Sequence, residues 1–461
     1  MAAMPHIRHV DQPHDLLALH KANPQRYPFL LQSTAKIHAE NSVSARYDIL
    51  FAFPEQSIRL DASNINSNTN SSDFFHDLDS VWQKSRENKT SQSSLPFSGG
   101  WFLYLSYEMA GQVEPSLNLP SSNDGLPLAY AVRIPAAIIV DHHEEKTVCI
   151  VESDRKNLLD SLLADVQQTH NEFLETATPQ HQSRVELSED DSGDYISGVT
   201  RIKQYITDGD VFQVNLSRTW QGKLTEQESP ANSYQLLCQQ NPAPFAGLAL
   251  IDDVAIISSS PERLVRVTDE GVVETRPIAG TRPRSHIEGV DKTLQEELLA
   301  HPKERAEHIM LIDLERNDIG RVCIPGTVEV DELMALESYA HVHHIVSNVR
   351  GQLRKNITPG EVLRAVFPGG TITGCPKVRC MEIIAELENV GRGAYTGSMG
   401  YLNHDGSMDM NILIRTIVQR EGMISFRAGA GIVADSSPEY ELEETRAKAR
   451  GLLLALTEHN G

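Results

Sequence analysis

Helical and strand-like runs follow one another along this chain without a βαβ rhythm, and that irregular order constrains the fold more than any other feature. A parallel sheet needs a crossover of a dozen or more residues, usually a helix, between successive strands. Here Tyr47–Phe53 (YDILFAF), Gly99–Tyr107 (GGWFLYLSY) and Thr147–Val151 (TVCIV) are short β-rich runs bounded by turns. From Asp194 onward helices and strands mix. Tyr195–Asp208 has apolar residues at helical spacing and stops at Gly209, Leu248–Ser258 and Leu264–Val267 read as strands, and Lys292–Leu314 reads as one helix. Val362–Val366 and Pro376–Leu387 read as helices on either side of FPGGTITG. Gly397–Tyr401, Met410–Val418, Met423–Arg427 and Gly431–Val433 read as strands, and Glu439–Leu456 as a last helix. No internal repeat is visible. The pattern predicts an α+β fold with antiparallel sheets.

Two polar stretches organise the chain. Residues 61–98, rich in Ser, Asn and Asp, read as a surface excursion with helical turns near Phe74–Ser85. Residues 176–193 (ATPQHQSRVELSEDDSGD) read as a linker. The expected organisation is an N-terminal region over 1–175 and a catalytic region over 194–461. A chain of 461 residues has room for about three domain-sized units or one large α/β enzyme domain.

Charge narrows the function classes. Lys plus Arg total 41 against 63 Asp plus Glu, a net −22, which argues against a nucleic-acid-coating protein or a basic membrane-surface binder. Five cysteines without a CxxC are no disulfide framework and suit a reducing compartment. The N-terminus lacks an apolar signal core, and LPLAYAVRIPAAIIV is broken by Arg133 and Pro135. A cytoplasmic enzyme is the expectation.

Several segments can carry chemistry. Glu304 and Glu307 (KERAEHIML) and Glu441 and Glu444 (YELEETRAKAR) are pairs three residues apart, each on one helix face. They are either a solvated surface or, from two separate helices, oxygen ligands for a hard divalent cation such as Mg²⁺. TRPIAGTRPR (275–284) surrounds an Ala-Gly-Thr turn with Arg276, Arg282 and Arg284, which are either solvated or anchors for carboxylates. FPGGTITGCPK (367–377) brackets Thr371 and Thr373 with glycines before a helix start, without Walker A spacing. AGAGIVADS (428–436) reads as a second glycine-rich turn and fails the dinucleotide pattern. In HVHH, His341 and His343 share one strand face and His344 takes the other. No cysteine or acidic partner stands at zinc-ligand spacing, so His344 is better suited to acid/base chemistry. Cys375 and Cys380 lack the GxCxG surroundings of a class I glutaminase nucleophile, so no glutamine-hydrolysing half is expected in this chain.

Taken together and in order, SPERL, TRPIAGTRPR, KERAEHIMLIDLERNDIGR, HVHHIVS, FPGGTITGCPKVRCMEII, AYTGSMGY, ILIRT and AGAGIVADS…ELEETRAKA resemble the chorismate-utilising enzyme family, strongly over 195–455 and more weakly through RYPFLLQS and YDILFAFP. The resemblance implies two antiparallel sheets with the active site between them, Mg²⁺, chorismate, and ammonia from a separate class I glutamine amidotransferase subunit. It implies Glu307 and Glu444 as metal carboxylates, with Glu441 and Glu304 as neighbours holding metal waters. It places His344 near the departing group at ring C4 and Thr371 at the substrate. Ala279 and Thr281 fall in the PIxGT substrate motif. Tyr395 and Arg415 fall near the enolpyruvyl carboxylate, Gly429 and Gly431 at a carboxylate, and Lys448 close by. Mg²⁺ on the ring carboxylate favours loss of the hydroxyl, the Lewis-acid role.

Members of the family differ in where ammonia enters. Aminodeoxychorismate synthases usually carry a nucleophilic Lys in PIxGT; this chain has Ala279, as anthranilate synthases do, and alanine cannot be a nucleophile. FQVNLS (212–217), SPER (260–263), FPGGTITG and RYDILFAFP resemble aminodeoxychorismate synthase component I instead. The many segments outweigh the single residue, so amination at C4 is the expectation, with anthranilate synthase component I as the alternative and an inactive binding homologue as a third reading. A tryptophan pocket is implied around Ser33 and Phe245, but LLQS replaces the LLES of tryptophan-inhibited relatives, which argues for a structural tryptophan at most.

Overall fold

The computed structural model describes residues 4–11, 14–35, 46–62, 73–86, 95–173, 185–224, 228–285, 287–338 and 342–457. Among these the strands form two antiparallel sheets, one of twelve strands and one of ten. The expected α+β class holds, with antiparallel pairing between strands both close and far apart in the chain.

Both sheets draw strands from both ends of the sequence. In the larger sheet Phe29–Gln32 pairs with Phe245–Ile251, Leu30 opposite Leu248. In the smaller one Gly100–Leu105 pairs with Ser398–Asn403, Phe102 opposite Tyr401. The 1–175 and 194–461 regions are therefore interleaved rather than set side by side. The sheets face each other across a core in which Phe29 stacks on Phe102 with ring centroids 4.1 Å apart, joined by Phe51, Ile139, Ile256 and Met399. Helices cover the outer faces. Leu16–Ala22, Asn157–Phe173, Pro230–Gln240 and Pro438–Leu456 pack on the larger sheet, and Phe74–Arg86, Pro302–Gly320 and Pro359–Val366 on the smaller.

Several boundaries differ from expectation for local reasons. Lys292–Leu314 is two helices, Glu288–Ala300 and Pro302–Gly320, because Pro302 forces His301 into an extended conformation (ψ 114°) and starts a new helix behind it. Leu248–Ser258 is the hairpin Phe245–Ile251 and Val254–Ser260, turning at Asp252 with φ +54°. Met410–Val418 is likewise split into Met408–Asn411 and Thr416–Arg420. Within the stretch expected as a linker, Val185–Glu189 is a strand on Trp220–Leu224 and Ser192 opens a helix; residues 176–184 lie outside the described residues. So do 63–72 and 87–94 of the expected surface excursion, whose Phe74–Arg86 helix forms as read.

The glycine-rich AGAGI is not a turn. It is the end of the Met423–Ile432 strand, with Gly429 opposite Ser217 and Gly431 opposite Asn215, and the chain turns only afterwards, at Val433–Ser436. No helix among the described residues is long and apolar enough to cross a membrane.

Candidate active site

The site is built where the Gln213–Leu224 and Met423–Ile432 strands meet the Pro302–Gly320 and Pro438–Leu456 helices. Gln213 Nε2 donates to Glu307 Oε1 at 2.8 Å. Burial pushes the Glu307 carboxyl up, and the neighbouring carboxylates of Glu304 and Glu444 push it further, against the Gln213 bond and the Lys448 charge. On the other helix Lys448 Nζ pairs with Glu444 at 2.8 Å and donates to Gly429 O at 3.0 Å. Burial alone would lower the Lys448 ammonium; Glu444 outweighs it, helped by Tyr395 and Glu307, and holds the proton firmly. Glu441 is buried one turn earlier at 4% exposure. The two helices thus bring Glu307 and Glu444 within electrostatic reach of each other.

Glycine is required beneath these groups. A Cβ on Gly431 would stand 2.3 Å from Gln213 Nε2 and 3.5 Å from Glu307 Oε1; one on Gly429 would meet Leu216 O at 2.7 Å and Tyr395 Oη at 2.9 Å. Tyr395 is itself buried, which raises its phenol. The Gln213 Oε1 and Asn215 Oδ1 acceptors are buried without a hydrogen-bond partner among the described residues, beside the Gly429–Gly431 strand.

A second set of groups adjoins the first. Glu262 lies just after the Val254–Ser260 strand at 6% exposure. Burial drives its carboxyl up to about 7, against the Thr371 hydroxyl, the Ile278 N–H and the charges of Lys448 and Arg415. The Thr371 hydroxyl is buried in the Gly370–Ile372 turn and faces Glu262. Arg415, half-buried with φ +51°, makes no ion pair among the described residues. Burial lowers its guanidinium, with Glu262 opposing, so it is a cation in want of an anion. His344 is 3% exposed. Burial and then the Arg415 charge drive its imidazole down to about 3, so it is neutral at pH 7.

Glu304 is held by Arg282 at 3.2 Å. Gly280, with φ +73°, gives it room, since a Cβ there would touch Glu304 Oε2 at 2.9 Å. Ala279 is buried opposite Ile345, just before the bulge that Gly280 makes; the Thr281 side chain lies outside the described residues. The arginines of TRPIAGTRPR are not free anchors. Arg276 pairs with Glu332 and Glu337, Arg282 with Glu304, and Arg284 with Asp291. His343 contacts Asp291 at 3.0 Å and Ser338 at 2.8 Å, and His341 lies outside the described residues.

Among the described residues no three His, Cys, Asp or Glu side chains gather as a metal cluster. Two carboxylates are what the geometry offers, Glu307 and Glu444, flanked by Glu304 and Glu441. Mg²⁺ commonly takes one or two protein carboxylates and completes its shell with water and substrate oxygens. A divalent cation would relieve the carboxylate repulsion that adds to burial in raising Glu307, so the residues fit that ion. Phe245 lines a separate cavity of about 90 Å³ with Leu31, Gln32, Tyr47, Met399 and Asp409. Ser33 stands next to Gln32, its N–H on Asp48 Oδ1 at 2.9 Å and its hydroxyl buried without a partner among the described residues.

The structure resembles anthranilate synthase component I from Streptococcus pneumoniae with a TM-score of 0.76 and 31% identity, over 90% of this chain and 93% of that one. In sequence the chain is 43% identical to an anthranilate synthase component I-like protein of a Synechocystis species, over 78% of this chain and 73% of the relative. It is 42% identical to anthranilate synthase component 1 of Acetivibrio thermocellus (79% and 76%). It is 41% identical to aminodeoxychorismate synthase component 1 of Bacillus subtilis (81% and 80%). The model of the chorismate binding enzyme family matches residues 16–454. The chain belongs to the chorismate-binding enzymes and is an enzyme that acts on chorismate.

Proposed function

We propose that this chain is component I of an aminodeoxychorismate synthase, aminating chorismate at C4 with ammonia from a glutamine amidotransferase subunit, in the cytoplasm. One observation carries the choice. The residues drawn from aminodeoxychorismate-synthase-like segments are not scattered: Gln213 and Asn215 of QVNL, Glu262 of SPER and Thr371 of FPGGTITG all face this one site. The relative from Bacillus subtilis supports the reading, though anthranilate synthases of similar identity stand beside it. Ala279 favours the second reading, anthranilate synthase component I.

Chorismate is a dianion, and the local charges suit it despite the net −22. Arg415 offers an uncompensated guanidinium, the natural partner of one carboxylate. Backbone N–H groups along Gly429–Gly431 can approach another because no side chain intervenes. Glu307 and Glu444, with Glu304 and Glu441 beside them, would hold Mg²⁺ at the ring carboxylate, where the ion withdraws charge from the ring. Glu262, protonated over much of the range up to about pH 7, donates its proton to the departing hydroxyl, which leaves as water. His344 is neutral, its ring N–H turned to the Gly280 carbonyl, so its other nitrogen can accept a hydrogen bond from the substrate. Ammonia then adds to the ring directly, with no covalent lysine intermediate because position 279 is alanine.

The test is to give the purified chain chorismate, Mg²⁺ and ammonium at high pH. Formation of 4-aminobenzoate only after a lyase is added supports the reading; anthranilate as the sole fluorescent product overturns it in favour of the second. Improved C4 amination by Ala279→Lys supports it further.

A further inference from the structure

A buried ion triad that the chemistry above leaves unused adjoins the site. Glu388 closes the Lys377–Glu388 helix, and Asn389, at φ +50°, turns the chain so that Arg392 comes back to it. Each side chain is 1% exposed. Glu388 accepts from Arg392 Nε at 3.0 Å and Nη2 at 2.7 Å, and from Arg427 Nη2 at 2.8 Å. It also takes the Ser217 N–H and hydroxyl, each at 2.8 Å. Burial alone would raise its carboxyl; Arg392 and then Arg427 outweigh that and hold it below the ordinary range. Ser217 stands opposite Gly429, and Thr219 opposite Arg427, so the triad shares the sheet face on which Gly429, Gly431 and Asn215 front the site. Arg392 spends all five of its N–H donors. Nη2 also reaches Asn215 O at 2.7 Å, and Nη1 reaches Ile372 O at 3.2 Å and the Thr396 hydroxyl at 3.4 Å. Its guanidinium carbon stands 5.5 Å from the Tyr395 ring centroid and 4.9 Å from that of Tyr107. Asn215, Thr371 beside Ile372, and Tyr395 come from three separate segments, and one fork holds all three.

We propose that Arg392 is a positioning residue, setting Asn215, Thr371 and Tyr395 in register around the substrate. Stability does not account for the triad. Taking three charges out of water offsets most of their attraction, and apolar side chains of the same volume would serve a core as well. Nor would any cation do. Lysine offers three donors on a point charge, whereas the guanidinium fixes two carbonyls, a carboxylate and a hydroxyl from one rigid plane. Geometry is what the fork adds, and a displacement of about 1 Å at groups lining a site can cost about 10²-fold in rate. The inference rests on these three groups facing chorismate, and it holds for amination at either ring position.

The test is a double-mutant cycle on the full chain, turning over chorismate with Mg²⁺ and ammonium. Arg392→Lys keeps the charge and loses the fork, and kcat/KM is expected to fall roughly 10²-fold. Tyr395→Phe keeps the ring against the guanidinium and removes only the hydroxyl that stands beside Gly429. With Arg392 acting through that hydroxyl, the double variant loses at least about fivefold less than the product of the single losses. Arg133→Lys, which disturbs a buried pair with Glu152 outside the site, should lower the urea midpoint without lowering kcat/KM. If Arg392→Lys does not fold, Ser217→Ala replaces it in the cycle, since it takes away one of the bonds that fix Glu388. Multiplicative losses, a loss under about threefold for Arg392→Lys, or an equal loss for Arg133→Lys overturn the proposal while the functional reading stands. A wild-type chain inert toward chorismate overturns both.

Discussion

Glu262→Gln is expected to make this protein more stable and nearly inactive at once. The Glu262 carboxyl moves from an ordinary 4.5 to about 7 on folding. The folded chain therefore binds its proton more tightly than the unfolded chain, and the wild type loses stability as pH rises from the lower value through the upper one. A shift of that size corresponds to about 3 kcal/mol once the pH is above the folded value. Glutamine keeps the shape, can still accept the Ile278 N–H, and never ionises. Glu307 and Glu315, also raised by burial, are present in both proteins and cancel to first order. Chemical denaturation of the two proteins, without Mg²⁺ at about pH 4 and about pH 8, reads the effect. The variant should gain up to about 3 kcal/mol relative to wild type between those conditions, while chorismate turnover falls roughly 10²–10⁴-fold through loss of the acid. A stability difference that does not change with pH would refute the buried-carboxyl argument. Turnover within about tenfold of wild type would refute the acid role.

Gly431→Ala should displace Gln213, whose Nε2 stands 2.3 Å from the new methyl position, and break its bond to Glu307. A hydrogen bond to a charged group contributes about 1.5–3 kcal/mol, so kcat/KM with saturating Mg²⁺ should fall about 10- to 150-fold, whereas Gly422→Ala, on a surface turn, should not lower it. Arg415→Met should raise the KM for chorismate by roughly 30-fold or more, since an unpaired buried carboxylate costs about 2–5 kcal/mol; calorimetric titration of chorismate without ammonia checks it, and unchanged affinity would remove Arg415 from the substrate.

The acidic pairs and the glycines can be read in the sequence because their spacing is local, whereas Arg415 is marked only by the family resemblance. Glu304 with Glu307, and Glu441 with Glu444, are neighbours on a helix whatever the rest of the fold does. Glu262 and Gln213 escape such a reading, because strands present them and their roles depend on which distant segment packs opposite. A carboxylate closing the apolar run VAIISSSPERL was the available signal, since a charge placed there must be buried. The AGAGI glycines suggest a turn from composition alone. Their purpose is close approach to Gln213, Glu307 and Tyr395 across a strand pair, which only tertiary contact reveals. The three arginines around Ala279 looked available for substrate and proved to be taken by acidic side chains within the protein.

The interleaving of both ends of the chain in each sheet sets a timetable for its synthesis. Phe29–Gln32 finds Tyr47–Ala52 at once, yet its other edge waits for Phe245–Ile251, some 200 residues later. Gly100–Leu105 waits for Ser398–Asn403, about 300 residues on. At about 5–20 residues per second, those apolar edges stand open on the ribosome for roughly 10 to 60 seconds. A nascent chain of this kind is a client for chaperones before it is an enzyme.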